Sequence, residues 1–196
     1  TVFADANSFV TATKEGLSKR TVADGSDFLN DESLALIYKN CTEANLSPEL
    51  CVVIAISEKS DLSGYGQKNY WNVGVFNSDD PNNPSKGYST FEEALNKWIE
   101  NTKWVGDTND WRYTRAMQRI DSWGSKVKPD GTTARNFAPG IYNSIAFYKC
   151  VYSVPDELTQ ESDQSVGSEA NWGKYAEYLD EATDILLNVW KGVYGG

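Results

Sequence analysis

Histidine is absent from this chain of 196 residues, and the chain has one methionine and three cysteines. Without histidine, Ser-His-Asp and Cys-His catalysis are excluded in their usual forms, as are zinc sites built on histidine. Any hydrolysis by this chain must therefore depend on carboxylates, tyrosines and amides. We expect neither a metal nor an organic cofactor.

The three cysteines, Cys41, Cys51 and Cys150, are an odd number and have no metal-binding spacing. At most one internal disulfide bond can form among them, so one thiol is left over. We interpret the cysteines as buried apolar side chains, which leaves the redox compartment undecided.

Long apolar runs and excess positive charge are also missing. No stretch approaches the length needed to span a bilayer, so we expect no membrane insertion. The formal net charge of −10 repels phosphate, which argues against nucleic acid or an anionic membrane as a partner. Because Thr1 is preceded by no initiating methionine or leader, we interpret the chain as a mature product or part of a larger protein.

Hydrophobic residues make up 40% of the chain and aromatic residues 13%, which is typical of a folded globular protein. The length suits one domain over residues 1–196, and residues 1–30 are predicted to form an accessory N-terminal helix and loop. Helical spacing of apolar residues dominates elsewhere. It predicts helices in residues 30–46, 47–58, 89–105, 109–123, 136–154 and 173–194.

The predicted fold class is mostly α, with a minor β-hairpin or extended segment around "YWNVGVF" (residues 70–76). Three helix starts carry capping signals. Ser47 followed by Pro48 is the strongest of them. Asn30 or Asp31 is expected to cap the helix predicted in residues 30–46. Ser89 or Thr90 is expected to cap the helix predicted in residues 89–105.

The stretch "SPELCVVIAISEKSDLSGYG" places Glu58 where a long apolar helix ends and a Gly- and Ser-rich loop begins. A glutamate at a helix end is commonly a solvated surface residue. Alternatively, partial desolvation and the helix dipole both disfavour its anion, so that it stays protonated long enough to donate a proton to a glycosidic oxygen. The local pattern alone favours the solvated interpretation.

The order of several segments points to the second interpretation. An apolar helix ending in "SEKS", a Gly-rich loop, "NYWNVGVFN", an acidic turn and "GYSTFEEALNKWIENTK" follow one another. This order resembles the lysozyme-like bacterial and phage glucosaminidases that cut peptidoglycan. The resemblance covers roughly residues 47–120 and implies a lysozyme-like fold for the whole domain.

The resemblance also implies roles for individual residues. Glu58 would be the general acid, and Tyr113, in "DTNDWRYTRAMQRI", would match the family's active-site tyrosine. The residues expected to bind or border the substrate are Asn69, Trp71, Tyr88, Trp104 and Asp110, with Trp71 and Trp104 as candidate exposed rings for stacking on sugars.

Two positions depart from the family pattern. Lys59 stands between Glu58 and Ser60, where the family has glycine directly after a Glu-Ser pair. Asn72 stands where the family prefers glycine. A cation at position 59 would favour the anion of Glu58 if it faced inward, and would matter little if it pointed to solvent.

A second catalytic carboxylate is not evident from the sequence. Asp61, Asp79, Asp80 and Asp110 all lie in predicted turns, where aspartate is common for structural reasons. A reaction assisted by the N-acetyl group of the sugar would need one protein acid, and so would a lytic transglycosylase.

The resemblance implies a peptidoglycan hydrolase of the glucosaminidase type, which cleaves the β-1,4 GlcNAc–MurNAc backbone with Glu58 as the general acid. Peptidoglycan strands would be its partner, outside the cell, at the cell wall or in a phage virion, as part of a larger protein or assembly. The alternatives are a muramidase or lytic transglycosylase on the same substrate, and a non-catalytic cell-wall or structural module of a phage tail.

Overall fold

The computed structural model describes residues 1–64, 68–73, 87–103, 185–186 and 188–195. In these residues the regular structure is helical and contains no β-strand, which confirms the mostly α prediction for this part of the chain. The lysozyme-like architecture stays a prediction. Of the segment 70–76, residues 70–73 form turns, and the remainder lies outside the described residues.

Four α-helices and one 3₁₀ turn have defined bounds within these ranges. They are α1 (Ala6–Ser18), the 3₁₀ turn Asp27–Leu29, α2 (Asp31–Glu43), α3 (Pro48–Glu58) and α4 (Phe91–Thr102). Helical backbone is also described at residues 185–186 and 188–194. No helix in the described ranges is long and apolar enough to cross a membrane.

The chain divides into two compact units. One comprises Thr1–Lys103 with Val189–Gly196, and the other is Trp104–Asn188. The second unit lies outside the described residues apart from Ile185, Leu186 and Asn188. The architecture below is therefore that of the first unit, in which α2 packs against α1, α3 and α4.

Helix α3 is the buried centre of the first unit. Its start is local chemistry: Ser47 Oγ accepts a hydrogen bond from the backbone N–H of Leu50 at 3.1 Å, and Pro48 occupies the first turn. Every residue from Pro48 to Ile56 is buried. A helix that is apolar on all sides must be surrounded by protein, and each large aliphatic side chain so buried contributes about 1.5–3 kcal/mol.

The caps of the neighbouring helices resolve the two alternatives left by the sequence. Asn30 is the N-cap residue of α2, although its side chain makes no capping hydrogen bond. Thr90 is the N-cap residue of α4, and its Oγ1 accepts a hydrogen bond from the backbone N–H of Glu93 at 3.1 Å.

An aromatic cluster fills the space between α3, α4 and the 3₁₀ turn. Its rings pack with centroids 5.1–6.0 Å apart, a spacing typical of favourable edge-to-face and offset contacts. The members are Phe28, Tyr70, Trp71, Phe91 and Trp98. Trp71 Nε1 also donates a hydrogen bond to the Cys51 carbonyl at 2.9 Å, so the cluster is tied to the backbone of α3.

Two of the three cysteines lie in this core. Cys41 on α2 and Cys51 on α3 are buried free thiols, which confirms the expectation of buried apolar cysteines for these two. Burial raises the pKa of the Cys51 thiol well above its usual range. Cys150 lies outside the described residues.

Helix α1, inside the predicted accessory segment, packs closely against the C-terminal residues. Tyr194 stacks with Phe9 at a centroid distance of 6.4 Å, and its hydroxyl shares a 2.9 Å hydrogen bond with Thr13 Oγ1. The backbones approach most closely at Gly16, where an added Cβ would overlap the carbonyl oxygen of Val193. Glycine is needed at position 16 because no side chain fits there.

This close approach predicts opposite effects for the same substitution at two helical glycines. Gly16→Ala should lower the free energy of unfolding, because the new methyl group displaces the C-terminal backbone. Gly192→Ala should raise it by up to about 1 kcal/mol, because the nearest atom to the new Cβ, Arg20 Nη1, is 3.9 Å away and alanine favours the helix. Denaturant unfolding of both variants tests the contrast, which equal effects would contradict.

Thr90 and Ser89 provide a second matched pair. Thr90→Ala should lower the free energy of unfolding by about 1 kcal/mol, because it removes the capping acceptor of α4. Ser89→Ala should change it by less than about 0.5 kcal/mol, since the exposed serine precedes the cap. Urea denaturation gives both values, and a larger loss for the serine variant would show that the cap is misassigned.

Candidate functional site

Glu58 is the last residue of α3, at the point where the buried helix reaches the surface. Its side chain is exposed, whereas the residues of the helix up to Ile56 are buried. The helix closes with a hydrogen bond from the Lys59 backbone N–H to the Ala55 carbonyl at 2.9 Å. The buried helix therefore presents a carboxyl group to solvent from a rigid support.

The turn after Glu58 is anchored to the segment that precedes α2. The Leu62 backbone N–H closes the turn onto the Lys59 carbonyl at 2.9 Å. The Leu62 carbonyl accepts from Ser26 Oγ at 2.7 Å, and the Asp61 carbonyl accepts from the Ala23 backbone N–H at 2.8 Å. Leu62 has a φ of 55°, which is uncommon for a bulky residue, but its buried side chain and these bonds hold it there.

A second loop, Asn69–Val73, lies beside this turn and is organised by one amide side chain. Asn69 Oδ1 accepts from the Val73 backbone N–H at 3.0 Å, and Asn69 Nδ2 donates to the Val73 carbonyl at 3.1 Å. The Asn72 backbone N–H lies 3.4 Å from the Asn69 carbonyl. Asn69 is only 2% exposed, so its amide holds the loop closed from within.

Asn72 and Lys59 join the two loops at Glu58, and we call these three residues the Glu58 cluster. Asn72 Nδ2 donates to Glu58 Oε2 at 3.0 Å. Lys59 Nζ donates to Asn72 Oδ1 and to the Asn69 carbonyl. The amide of Asn72 thus lies between an ammonium group and a carboxyl group, with its acceptor toward the first and its donor toward the second.

Asn72 has a φ of 53°, in the left-handed region of backbone conformation. Glycine adopts this conformation most readily, and asparagine is among the few other residues that tolerate it well. The family that the chain resembles prefers glycine at this position. Glycine and asparagine can therefore both adopt the backbone conformation that Asn72 has here. Asparagine adds an amide that glycine lacks.

Lys59 faces inward and is only 7% exposed. Burial lowers its pKa from 10.5 to about 8, and the nearby carboxylates of Glu58 and Asp61 partly oppose that change. Of the two orientations considered for this lysine, the structure has the inward one. The contact of its ammonium with Glu58 passes through the Asn72 amide.

The start of the second loop is held by a separate polar cluster around Asp27. Tyr70 Oη donates to Asp27 Oδ2 at 2.7 Å, and Lys68 Nζ lies 2.9 Å from the same oxygen. The Asp27 backbone N–H donates to Tyr70 Oη at 3.0 Å. Burial, together with the Asp27 carboxylate, raises the pKa of Tyr70 to about 12, so the phenol stays protonated and keeps donating.

The predicted site residues have different outcomes. The structure brings Asn69 close to Glu58 through Lys59. Tyr88 lies before α4 and is partly buried, and burial, with the Glu93 and Glu100 carboxylates, raises its pKa. Three predicted residues, Trp104, Asp110 and Tyr113, lie outside the described residues.

The expectation that Trp71 is an exposed stacking ring is wrong. Its side chain is only 4% exposed, because Phe28, Phe91 and Trp98 surround it and its indole N–H is directed at the backbone of α3. A ring enclosed in this way cannot present a face to a sugar. Its contribution is to support the loop that carries Asn72.

Among the candidate second carboxylates, Asp61 is exposed and lies in the turn after Glu58. Its Oδ1 accepts from the Ser63 backbone N–H at 3.0 Å, a local bond typical of aspartate in turns. Asp79 and Asp80 lie outside the described residues. Within the described ranges, no group of three or more histidine, cysteine, aspartate or glutamate side chains is placed to hold a metal ion.

Sequence reasoning left the orientation of Lys59 open and missed the contact of Asn72 with Glu58. Both residues were visible only as departures from the family pattern. The signal that pointed to Asn72 was an asparagine where a glycine is usual, which indicates a positive φ. Nothing local to Lys59 distinguishes it from a solvated lysine.

Comparisons with protein-family models, with curated proteins and with solved structures found no match to this chain. The resemblance in the order and spacing of segments therefore stays a prediction.

The lowered pKa of Lys59 predicts how stability depends on pH. Below pH 8 the lysine is charged in both states, so the folded chain bears the cost of burying the ammonium. Between pH 8 and 10.5 the unfolded chain binds more protons, and the free energy of unfolding attributable to this group rises by about 3 kcal/mol. Relative to Lys59→Met, the wild type should therefore gain stability over this range.

Urea denaturation at several pH values measures this difference. Lys97→Met, which removes an exposed lysine from α4, controls for the loss of one positive charge. Parallel curves for the wild type and Lys59→Met would contradict the inward placement of the ammonium.

Proposed function

We propose that this protein is a glycosidase that cleaves the β-1,4 GlcNAc–MurNAc backbone of peptidoglycan, with Glu58 as the general acid. The observation that carries the proposal is the placement of Glu58. A carboxyl group stands at the surface end of a helix that is buried from Pro48 to Ile56, with one oxygen held by Asn72. Such a rigid support suits a proton donor, because proton transfer requires a defined distance and direction.

In the proposed reaction, Glu58 gives its proton to the bridging oxygen as the glycosidic bond breaks. Asn72 occupies Oε2, which leaves Oε1 to carry the proton. Positive charge develops on the sugar ring and is neutralised by attack of the substrate's acetamido group, of water or of a sugar hydroxyl. The last of these would make the protein a lytic transglycosylase. The proton that an attacking water or hydroxyl loses returns to the Glu58 carboxylate, which acts as the base in that step.

Tyr113 remains the proposed assisting group, through the resemblance alone, and Asp110 remains a proposed substrate-binding residue. Tyr113 would orient the acetamido group or the attacking water by hydrogen bonding. Asn69 would act as a support for the loop, since its amide is occupied by the Val73 backbone. Tyr88 and Trp104 remain proposed substrate contacts.

The proposed setting is outside the cell, at the cell wall or in a phage virion. Walls of Gram-positive bacteria are polyanionic, and the net charge of −10 disfavours attachment to them by charge alone. Targeting by another domain or subunit of a larger assembly is therefore part of the proposal.

One observation favours a second candidate, a non-catalytic cell-wall or structural module. Trp71 is buried, so one of the two rings proposed to stack on the glycan is not available for that role. A module that keeps the helices but lacks turnover would have no need of a sugar-stacking surface beside Glu58.

Digestion of purified peptidoglycan by the wild type and by Glu58→Gln tests the proposal. The wild type should release soluble fragments, and Glu58→Gln should be slower by about 100-fold or more, because an amide cannot donate the proton. Mass analysis of the ends names the reaction: reducing GlcNAc indicates a glucosaminidase, reducing MurNAc a muramidase, and anhydro-MurNAc a lytic transglycosylase.

Glu43→Gln is a matched control, because Glu43 is the exposed last residue of α2, as Glu58 is of α3. Its activity should equal that of the wild type. If the wild type releases no fragments, or if Glu58→Gln cuts as fast as the wild type, the catalytic proposal is wrong and the second candidate replaces it.

A further inference from the structure

We propose that Asn72 is a positioning residue for Glu58, and that the buried ammonium group of Lys59 orients the Asn72 amide for this task. The inference rests on the proposed function for its kinetic consequences. The contacts that carry it do not depend on any substrate.

Asn72 restricts the rotamers that the Glu58 side chain can adopt. An exposed glutamate at a helix end samples several side-chain rotamers, so its carboxyl group has no single direction. The 3.0 Å hydrogen bond from Asn72 Nδ2 to Glu58 Oε2 selects one of them. Among the described residues, the hydrogen bond to this carboxyl group is made at Oε2, which leaves Oε1 to meet the substrate.

Lys59 sets the direction of the Asn72 side-chain amide. An ammonium group has three donors and no acceptor, so it can bind only the oxygen end of an asparagine amide. Lys59 Nζ therefore determines that Oδ1 faces inward, which turns the two Nδ2 hydrogens toward Glu58. Without the ammonium group, either end of the amide could face the protonated carboxyl group, which both donates and accepts.

The backbone conformation at Asn72 is held by contacts of its own loop. Its φ of 53° is held by the Asn69 carbonyl, which accepts from the Asn72 N–H and also from Lys59 Nζ. The Asn69 side chain closes the same loop on Val73. The amide donor is consequently in place before any ligand binds.

The arrangement has a chemical consequence for proton donation. As Glu58 loses its proton, negative charge grows on the carboxyl oxygens, and a hydrogen bond to an ionised acceptor is stronger than one to a neutral acceptor. The Asn72 contact therefore strengthens toward the transition state and should affect kcat more than KM. Among the described residues, the carboxylates of Glu58 and Asp61 act on the charge of Lys59, and both favour its ammonium form.

Three variants test the inference on peptidoglycan. Asn72→Asp keeps the shape and the acceptor for Lys59 but removes the donor to Glu58. Asn72→Gly keeps the left-handed backbone and removes the amide. Lys59→Met removes the group that orients the amide. Each should lower kcat roughly 10- to 100-fold, with KM changed by less than about twofold.

Asn45→Gly is the matched control for the backbone. Asn45 also has a positive φ, of 57°, but lies in the exposed turn between α2 and α3. Its kcat should equal that of the wild type.

In the Glu58→Gln background, Asn72→Asp should have no further effect on kcat, because Asn72 acts through Glu58. The inference is overturned if Asn72→Asp or Asn72→Gly leaves kcat unchanged. It is also overturned if Asn72→Asp lowers kcat in the Glu58→Gln background by as much as it does in the wild type.

A spectroscopic readout separates this inference from the proposed function. The side-chain amide resonances of Asn72, assigned by their loss in Asn72→Asp, should shift in both Glu58→Gln and Lys59→Met. If the resonances shift but the wild type cleaves no peptidoglycan, the positioning contact is supported and the enzymatic function is wrong. Resonances that are unchanged in both variants would reject the positioning role whether or not the protein is an enzyme.

Discussion

The burial of α3 from Pro48 to Ile56 is the constraint on which the rest of the described unit depends. A helix with side chains enclosed on every side satisfies its own backbone hydrogen bonds internally, so apolar neighbours can surround it at little cost. Polar chemistry is then confined to its two ends. At the first end Ser47 caps the helix, and at the other Glu58 emerges beside Lys59.

Burying the ammonium group of Lys59 imposes the next requirement. A buried cation is tolerated only where acceptors surround it, and the loop Asn69–Val73 provides two of them. The Asn69 carbonyl and Asn72 Oδ1 meet Lys59 Nζ, while the aromatic cluster below holds that loop against α3. The geometry at Glu58 therefore follows from the need to satisfy its neighbour.

The proposed glycosidase activity and the positioning role of Asn72 depend on different evidence. The activity depends on the order of segments around Glu58 and on the support that α3 gives to its carboxyl group. The positioning role depends on hydrogen bonds among three described residues. The burial of Trp71 weighs against a sugar-stacking surface at that ring, but the same ring ties the loop that carries Asn72 to the backbone of α3.

The sequence by itself determined the features that depend on neighbouring residues. Ser47 and Pro48 start α3, apolar spacing produces α2 and α4, and Glu58 comes where the apolar run ends, because caps and periodicity act within a few residues. Only the tertiary structure decided that Lys59 faces inward, that Asn72 contacts Glu58 and that Trp71 is enclosed. Each of these depends on groups from separate segments meeting in space, and the local pattern of a lysine, an asparagine or a tryptophan carries no information about such partners.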